Sequence, residues 1–205
     1  MLELLLSKGL QYLNIKASSE QKEKLLLLLE QLMKWNKSYN LTAIKNTKEA
    51  LTLHILDSLA VLPYITQTHL LDVGTGAGFP GLPLAVMLPN VQFTLLHSNS
   101  KKIRFIRQQV HLLGLKNVDV IHSRVEEPQE KVYDGIISRA FASIEDMITL
   151  TKHLLSSDGV WLAMKGQYDQ QEINNLSEQV IEIANHSLNI PNLLAARCLI
   201  VMKSV

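Results

Sequence analysis

Apolar residues follow two regimes along the chain. Up to about residue 64 they recur at helical spacing. Ser18-Ser19-Glu20-Gln21 has the Ser-x-x-Gln spacing of a capping box and precedes Leu25, Leu28, Leu29, Leu32 and Met33, which predicts a helix to about Trp35. After a connection over residues 36–40, Asn46-Thr47-Lys48-Glu49 predicts the cap of another helix. That helix carries Leu51, Leu53, Ile55, Leu56, Leu59 and Val61, and Pro63 lies just beyond its end. From His69 onward, short apolar runs alternate with amphipathic stretches. The runs predict strands at His69–Val73, Gln92–Leu96, Asp119–His122, Gly135–Ser138, Val160–Met164 and Leu199–Met202, with one more near Glu182–Leu188. Helices are expected at about 81–88, 100–113, 143–155 and 170–180. This alternation is how a doubly wound α/β fold reads in sequence, with a mostly parallel, seven-stranded sheet. The expected division is an N-terminal helical extension over 1–64 and a Rossmann-like domain over 65–205. Strand order is not legible in a local pattern.

Composition narrows this picture without redirecting it. The 205 residues are 47% hydrophobic, enough for a continuous core in one α/β domain with a helical appendage. Leu25–Leu29 is the longest pure aliphatic run, flanked by Glu23, Lys24 and Glu30. A membrane span needs roughly 20 apolar residues, so no membrane association is expected. Met1-Leu2-Glu3-Leu4-Leu5-Leu6 has no basic start and no small-residue cleavage pattern, which predicts a cytoplasmic protein. Cys198 is the single cysteine, so an intrachain disulfide and a thiolate metal cluster are excluded. A net charge of +1 gives no global footprint for nucleic acid, and RNA binding would require a local patch.

The candidate chemistry starts at Asp72-Val73-Gly74-Thr75-Gly76-Ala77-Gly78-Phe79-Pro80-Gly81. A strand that turns through glycines into a helix lets backbone approach a nucleoside-like ligand closely. Gly76, Gly78 and Gly81 also satisfy Gly-x-Gly-x-x-Gly, so an NAD-dependent oxidoreductase stands beside an S-adenosylmethionine enzyme. Asp72 would oppose a pyrophosphate and tolerate a cationic sulfonium, which favours S-adenosylmethionine. Both cofactor classes place an acid at the end of the second strand for the ribose, and here that position holds His97. A non-catalytic RNA-binding protein on the same fold is the third reading.

Several stretches together resemble the bacterial 16S rRNA (guanine-N7) methyltransferase family, also called rRNA small subunit methyltransferase G or glucose-inhibited division protein B. They are Trp35-Asn36-Lys37-Ser38-Tyr39-Asn40-Leu41-Thr42, His54-Ile55-Leu56-Asp57-Ser58, the Asp72–Gly81 loop, Ser123-Arg124-Val125-Glu126-Glu127 and Ser138-Arg139-Ala140-Phe141-Ala142. The resemblance covers nearly the whole chain. It implies the methyltransferase type of doubly wound sheet, S-adenosylmethionine as cofactor, and methyl transfer to N7 of guanine 527 in the 530 loop of 16S rRNA. It further implies 16S rRNA or the small ribosomal subunit as partner. Cofactor contacts are implied at Gly74 and Phe79, at Val125 and Glu126, and at Arg139, with Gly76 and Gly78 in the same loop. The chain departs from the family pattern at His97, where Asp is usual, and at Leu53, where Arg often precedes the His.

Guanine N7 carries an unprotonated in-plane lone pair, so alignment matters more than a general base, and no catalytic acid or base is assigned. Arg139 could hold the methionine carboxylate or form an ordinary ion pair, and Phe141 could stack on a guanine or pack in the core. Val125 suits an adenine pocket, whereas Glu126 beside Glu127 could be a solvated pair. Lys101, Lys102, Arg104 and Arg107 read as an outer helix face, while Lys34, Lys37, Lys45, Lys165 and Arg197 are the candidates for RNA phosphates. His54 and Asp57, three apart on one helix face, could bond to each other or join the N-terminal helices to the main domain. No metal site and a monomer are expected.

Overall fold

In the computed structural model, residues 1–127, 131–139, 141, 143–176 and 179–205 are described. The chain begins with α1 (Leu2–Tyr12), whose Leu6, Gly9 and Leu10 form a buried stripe. The expected capping box starts α2 (Ser19–Tyr39): the Gln21 amide donates to Ser18 Oγ at 3.1 Å and the Ser18 amide to Gln21 Oε1 at 2.9 Å. This helix outruns its predicted end because nothing breaks it before Asn40, which takes a left-handed φ of 50°. Asn46 caps α3 (Thr47–Ala50), accepting from the amides of Lys48 and Glu49. The helix then widens into a π-turn over Leu51–Leu56, resumes as α4 (Asp57–Leu59), and ends in a 3-10 turn at Leu62–Tyr64.

The sheet contains β1 (His69–Val73), β2 (Gln92–His97), β3 (Val118–His122), β4 (Tyr133–Ser138), β5 (Leu155–Lys165), β6 (Val180–Ser187) and β7 (Cys198–Ser204). Its order is β3-β2-β1-β4-β5-β7-β6, with β7 antiparallel to both β5 and β6 and the other pairs parallel. Side chains alternate between two clusters, as a period of two requires. Leu70, Leu95, Ile137, Leu162 and Val201 join the N-terminal helices, α5 (Gly81–Met87) and α6 (Ser100–Leu112) on one face. Leu71, Leu96, Ile136, Trp161 and Ile200 meet α7 (Ile144–Thr151) on the other. The N-terminal helices thus share a core with one face of the sheet. Ile103, Phe105 and Ile106 of α6 are buried while Lys101, Arg104 and Arg107 face outward, as the spacing predicts.

Two more expected boundaries move. Residues 152–154 form a 3-10 turn and β5 begins at Leu155, five positions before the apolar run suggests, because Ser156-Ser157-Asp158 is extended yet polar, with Ser157 and Asp158 exposed. The helix expected at 170–180 is only Gln170–Asn174, here α8; Ser177 and Glu178 lie outside the described residues. Among the described residues no helix is long and apolar enough to cross a membrane.

Candidate cofactor cleft and the adjoining basic cavity

The glycine loop leaves β1 at its carboxyl end and is anchored to β2, since the amides of Gly74 and Thr75 both donate to the Leu96 carbonyl, at 3.0 and 3.2 Å. Its glycines serve different ends. Gly76 has a φ of 63°, and a Cβ built there would meet nothing within 4 Å. At Gly81 a Cβ would collide with Leu95 and lie 2.8 Å from Asp72 Oδ2, and at Gly78 it would collide with Leu82. The spacing Gly-x-Gly-x-x-Gly is therefore set partly by packing of α5 on the sheet.

Asp72 does not face a ligand, which corrects the electrostatic argument built on its charge. It is fully buried, and its Oδ2 accepts from Thr75 Oγ1 at 2.6 Å and from the Gly81 amide at 2.7 Å. Burial pushes its carboxyl up to about 7 despite those two bonds and the Arg139 charge, while Oδ1 has no partner among the described residues. Asp72 braces the loop from inside, bridging its start to the first residue of α5.

A cavity of about 340 Å³ opens beyond the carboxyl ends of β1, β2 and β3, where ligands of open parallel sheets bind. Gly74, Val125, Glu126 and Phe141 line it, together with His97 at the end of β2. Of the seven residues implied as cofactor contacts, Gly74, Val125 and Glu126 are brought together here. Gly76 and Gly78 lie in the adjoining loop without lining this cavity, and Ala140 and Ala142 are outside the described residues.

Phe79 and Arg139 belong instead to a network around a second cavity of about 370 Å³, on the Asp57 side of the β4 end. Arg139 Nη1 donates to Asp57 Oδ2 and to the Leu53 carbonyl, each at 2.8 Å, and Nη2 lies 3.4 Å from His54 Nδ1. A π-turn leaves carbonyls without their usual helical partners, and Leu53, inside that turn, gives its oxygen to Arg139. Arg197 Nε reaches the other Asp57 oxygen at 3.2 Å. Asp57 is 2% exposed and its two arginines about a quarter exposed, so a single buried carboxylate aligns two cations at the cavity wall.

His54 sits between this network and the loop. An arginine can only donate, so His54 Nδ1 is the acceptor and Nε2–H donates to Thr42 Oγ1 at 2.9 Å. Burial, then the Arg139 charge, hold its pKa near 4, so the ring is neutral. Phe79, 4% exposed, stacks on it with ring centroids 4.8 Å apart. His54 and Asp57 thus link the N-terminal helices to the sheet rather than to each other. The three-residue spacing of this pair was visible; their arginine partners, 82 and 140 positions away, were not.

Of the cations proposed for RNA, Lys165 and Arg197 line this second cavity. Lys34, Lys37 and Lys45 line a separate groove shared with Glu23 and Glu30. Among the described residues no group of three or more His, Cys, Asp or Glu could hold a metal ion.

Comparison with known proteins bears on both cavities. Residues 21–200 match the family model for rRNA small subunit methyltransferase G, GidB. The chain is 45% identical over 201 residues to ribosomal RNA small subunit methyltransferase G of Psychromonas ingrahamii, covering 98% of this chain and 97% of that protein. It is 52% identical over 178 residues to the protein of that name in Hydrogenovibrio crunogenus, covering 86% and 82%. Among solved structures, TrmN from Thermus thermophilus is similar with a TM-score of 0.61 at 12% identity, over 83% of this chain and 53% of that one. Coclaurine N-methyltransferase bound to N-methylheliamine and SAH gives 0.55 at 15% identity, over 90% and 72%. At such identities these two speak to the fold alone, whereas the family match spans both cavities and every element between them: the chain belongs to the rRNA small subunit methyltransferase G family.

Proposed function

We propose that this protein transfers the methyl group of S-adenosylmethionine to N7 of guanine 527 in the 530 loop of 16S rRNA. The observation that carries the reading is the pairing of two cavities at the β4 end, one beside the glycine loop and one lined by Arg139, Lys165 and Arg197. The family membership supports the same reading.

The first cavity suits the cofactor. Val73, Leu96, Val125 and Leu150 offer apolar walls for an adenine, and Glu126 and His97 offer polar atoms at its rim. Gly76, with open space where a side chain would be, leaves the loop backbone accessible. In this reading Gly74, Gly76 and Gly78 shape the approach, Val125 and Glu126 hold the adenosine, Phe79 fixes the loop through His54, and Arg139 serves the methionine carboxylate. When bound, the cofactor supplies an electrophilic methyl on a sulfonium.

The second cavity suits the target nucleotide. Lys165 and Arg197 can pair with phosphate, and their side chains are already ordered by Glu172 and Asp57, so little entropy is lost when RNA binds. The chain's chemistry is that of alignment. Both nitrogens of His54 are engaged, and Asp57 is committed to two arginines, so neither is poised to remove a proton. N7 alkylation requires none.

Labelled S-adenosylmethionine incubated with unmethylated small subunits should transfer its methyl to 16S rRNA. Calorimetry should show binding of S-adenosylhomocysteine and none of NADH. The reverse preference would favour the oxidoreductase reading, and RNA retention without any cofactor heat would favour a non-catalytic RNA-binding protein.

A further inference from the structure

At the end of β2 the side chain is an imidazole, and its hydrogen bonds fix what it can do. The Ser98 amide donates to His97 Nδ1 at 2.9 Å, so Nδ1 carries no proton and Nε2 carries the ring's only one. On the other side of the Ser98 peptide, its carbonyl lies 3.0 Å from His122 Nε2, in a sheet register that pairs His97 with His122. Ser98 is thus clasped by two rings from adjacent strands. Burial first, then the positive Lys102 and the neighbouring His122, hold His97 near 4, which keeps the ring neutral in ordinary buffers. Its Nε2 has no hydrogen-bond partner among the described residues, and the residue lines the cavity that Gly74 and Glu126 also line.

We propose that His97 binds the ribose of the cofactor as a hydrogen-bond donor through Nε2–H, in the place where nucleoside-binding sheets usually put an acid that accepts. The assignment rests on the cofactor reading above. A carboxylate at a strand end receives protons from ribose hydroxyls; a neutral imidazole whose Nδ1 is engaged can only give one. The hydroxyl oxygen that accepts the His97 hydrogen bond retains its own O–H to donate, and Glu126 is the carboxylate lining the same cavity that can accept it. The site therefore keeps a ribose contact with one fewer negative charge.

The test is calorimetry with S-adenosylhomocysteine and its 2′,3′-dideoxy analogue on the wild type, His97→Phe and His97→Gln. Loss of one hydrogen bond corresponds to about tenfold in affinity, so the preference for the natural ribose should shrink by about tenfold in His97→Phe. His97→Gln, whose amide can reach the same point as a donor, should recover most of it. Nitrogen NMR of histidine-labelled wild type gives a readout that does not depend on any variant folding. It should show His97 protonated on Nε2, with that resonance moving when S-adenosylhomocysteine is added. An unchanged preference in His97→Phe, or a ring protonated on Nδ1, overturns the proposal while leaving the cofactor assignment standing. Absence of any S-adenosylhomocysteine binding by the wild type overturns both.

Discussion

Replacing Arg139 by alanine tests whether this residue is part of the scaffold as well as part of the site. The change removes a 2.8 Å ion pair from Asp57 Oδ2 and the donor to the Leu53 carbonyl. Stripping one partner from a buried pair costs about 3–5 kcal/mol when the remaining charge is left alone. Here Arg197 still holds the other oxygen at 3.2 Å, and Arg139 is 26% exposed, both of which reduce the loss. A cost of about 2 kcal/mol follows, or a drop of roughly 4–8 °C in Tm for a chain of this size. The measurement is thermal and urea denaturation of wild type, Arg139→Ala, Asp57→Asn and the double variant, without cofactor or RNA. Because Arg139 stabilises chiefly through Asp57, the two single effects should be strongly non-additive, with a coupling of about 1–2 kcal/mol. An Arg139→Ala protein that melts with the wild type, or strictly additive effects, would refute the network. If Arg139 was an ordinary surface ion pair, the change would move stability by under about 1 kcal/mol.

Three further outcomes follow from the glycine loop. Asp72 has a folded pKa near 7 against an ordinary value of 3.8, so the folded state holds this proton more tightly than the unfolded chain. The stability it contributes is complete below the unfolded value and is lost as pH rises through the window from about 4 to about 7. Asp72→Asn removes that loss, so its Tm relative to wild type should be higher at pH 8 than at pH 5; a pH-independent difference would contradict the burial argument. Gly81→Ala forces a Cβ into Leu95 and against Asp72 and should cost about 1–3 kcal/mol by overpacking. Gly76→Ala meets no atoms, and its left-handed backbone should cost about 1–2 kcal/mol, with the larger effect falling on S-adenosylhomocysteine affinity. Equal affinity for S-adenosylhomocysteine in Gly76→Ala and wild type would remove Gly76 from the ligand's approach.

What could be read in the sequence was local. The period of two in Leu70-Leu71, Leu95-Leu96 and Leu162-Ala163 assigns residues to sheet faces, and Ser18 with Gln21 announces a helix start, because each signal lies within a few residues of its effect. Placing β7 between β5 and β6 depends on pairing it with β5 from Lys165↔Cys198 to Val160↔Lys203, far apart in the chain, and leaves no such mark. The motif singles out Arg139, but its bonds to the Leu53 carbonyl and Asp57 join the N-terminal π-turn and α4 to the end of β4. Asp72 shows a different failure. A carboxylate before a glycine loop reads in sequence as an ionised charge facing the ligand, whereas burial and the Thr75 and Gly81 donors turn it inward. Residue type gave the charge; only the fold gave its direction.

Methyl transfer to one base is measured by mass-spectrometric mapping of 16S rRNA from unmethylated small subunits treated with this protein and S-adenosylmethionine. A single 7-methylguanosine at guanine 527 in the 530 loop is expected, absent when the protein is omitted. Methylation at another base or another atom, or no methylation under conditions where a known rRNA methyltransferase modifies its own site, would contradict it.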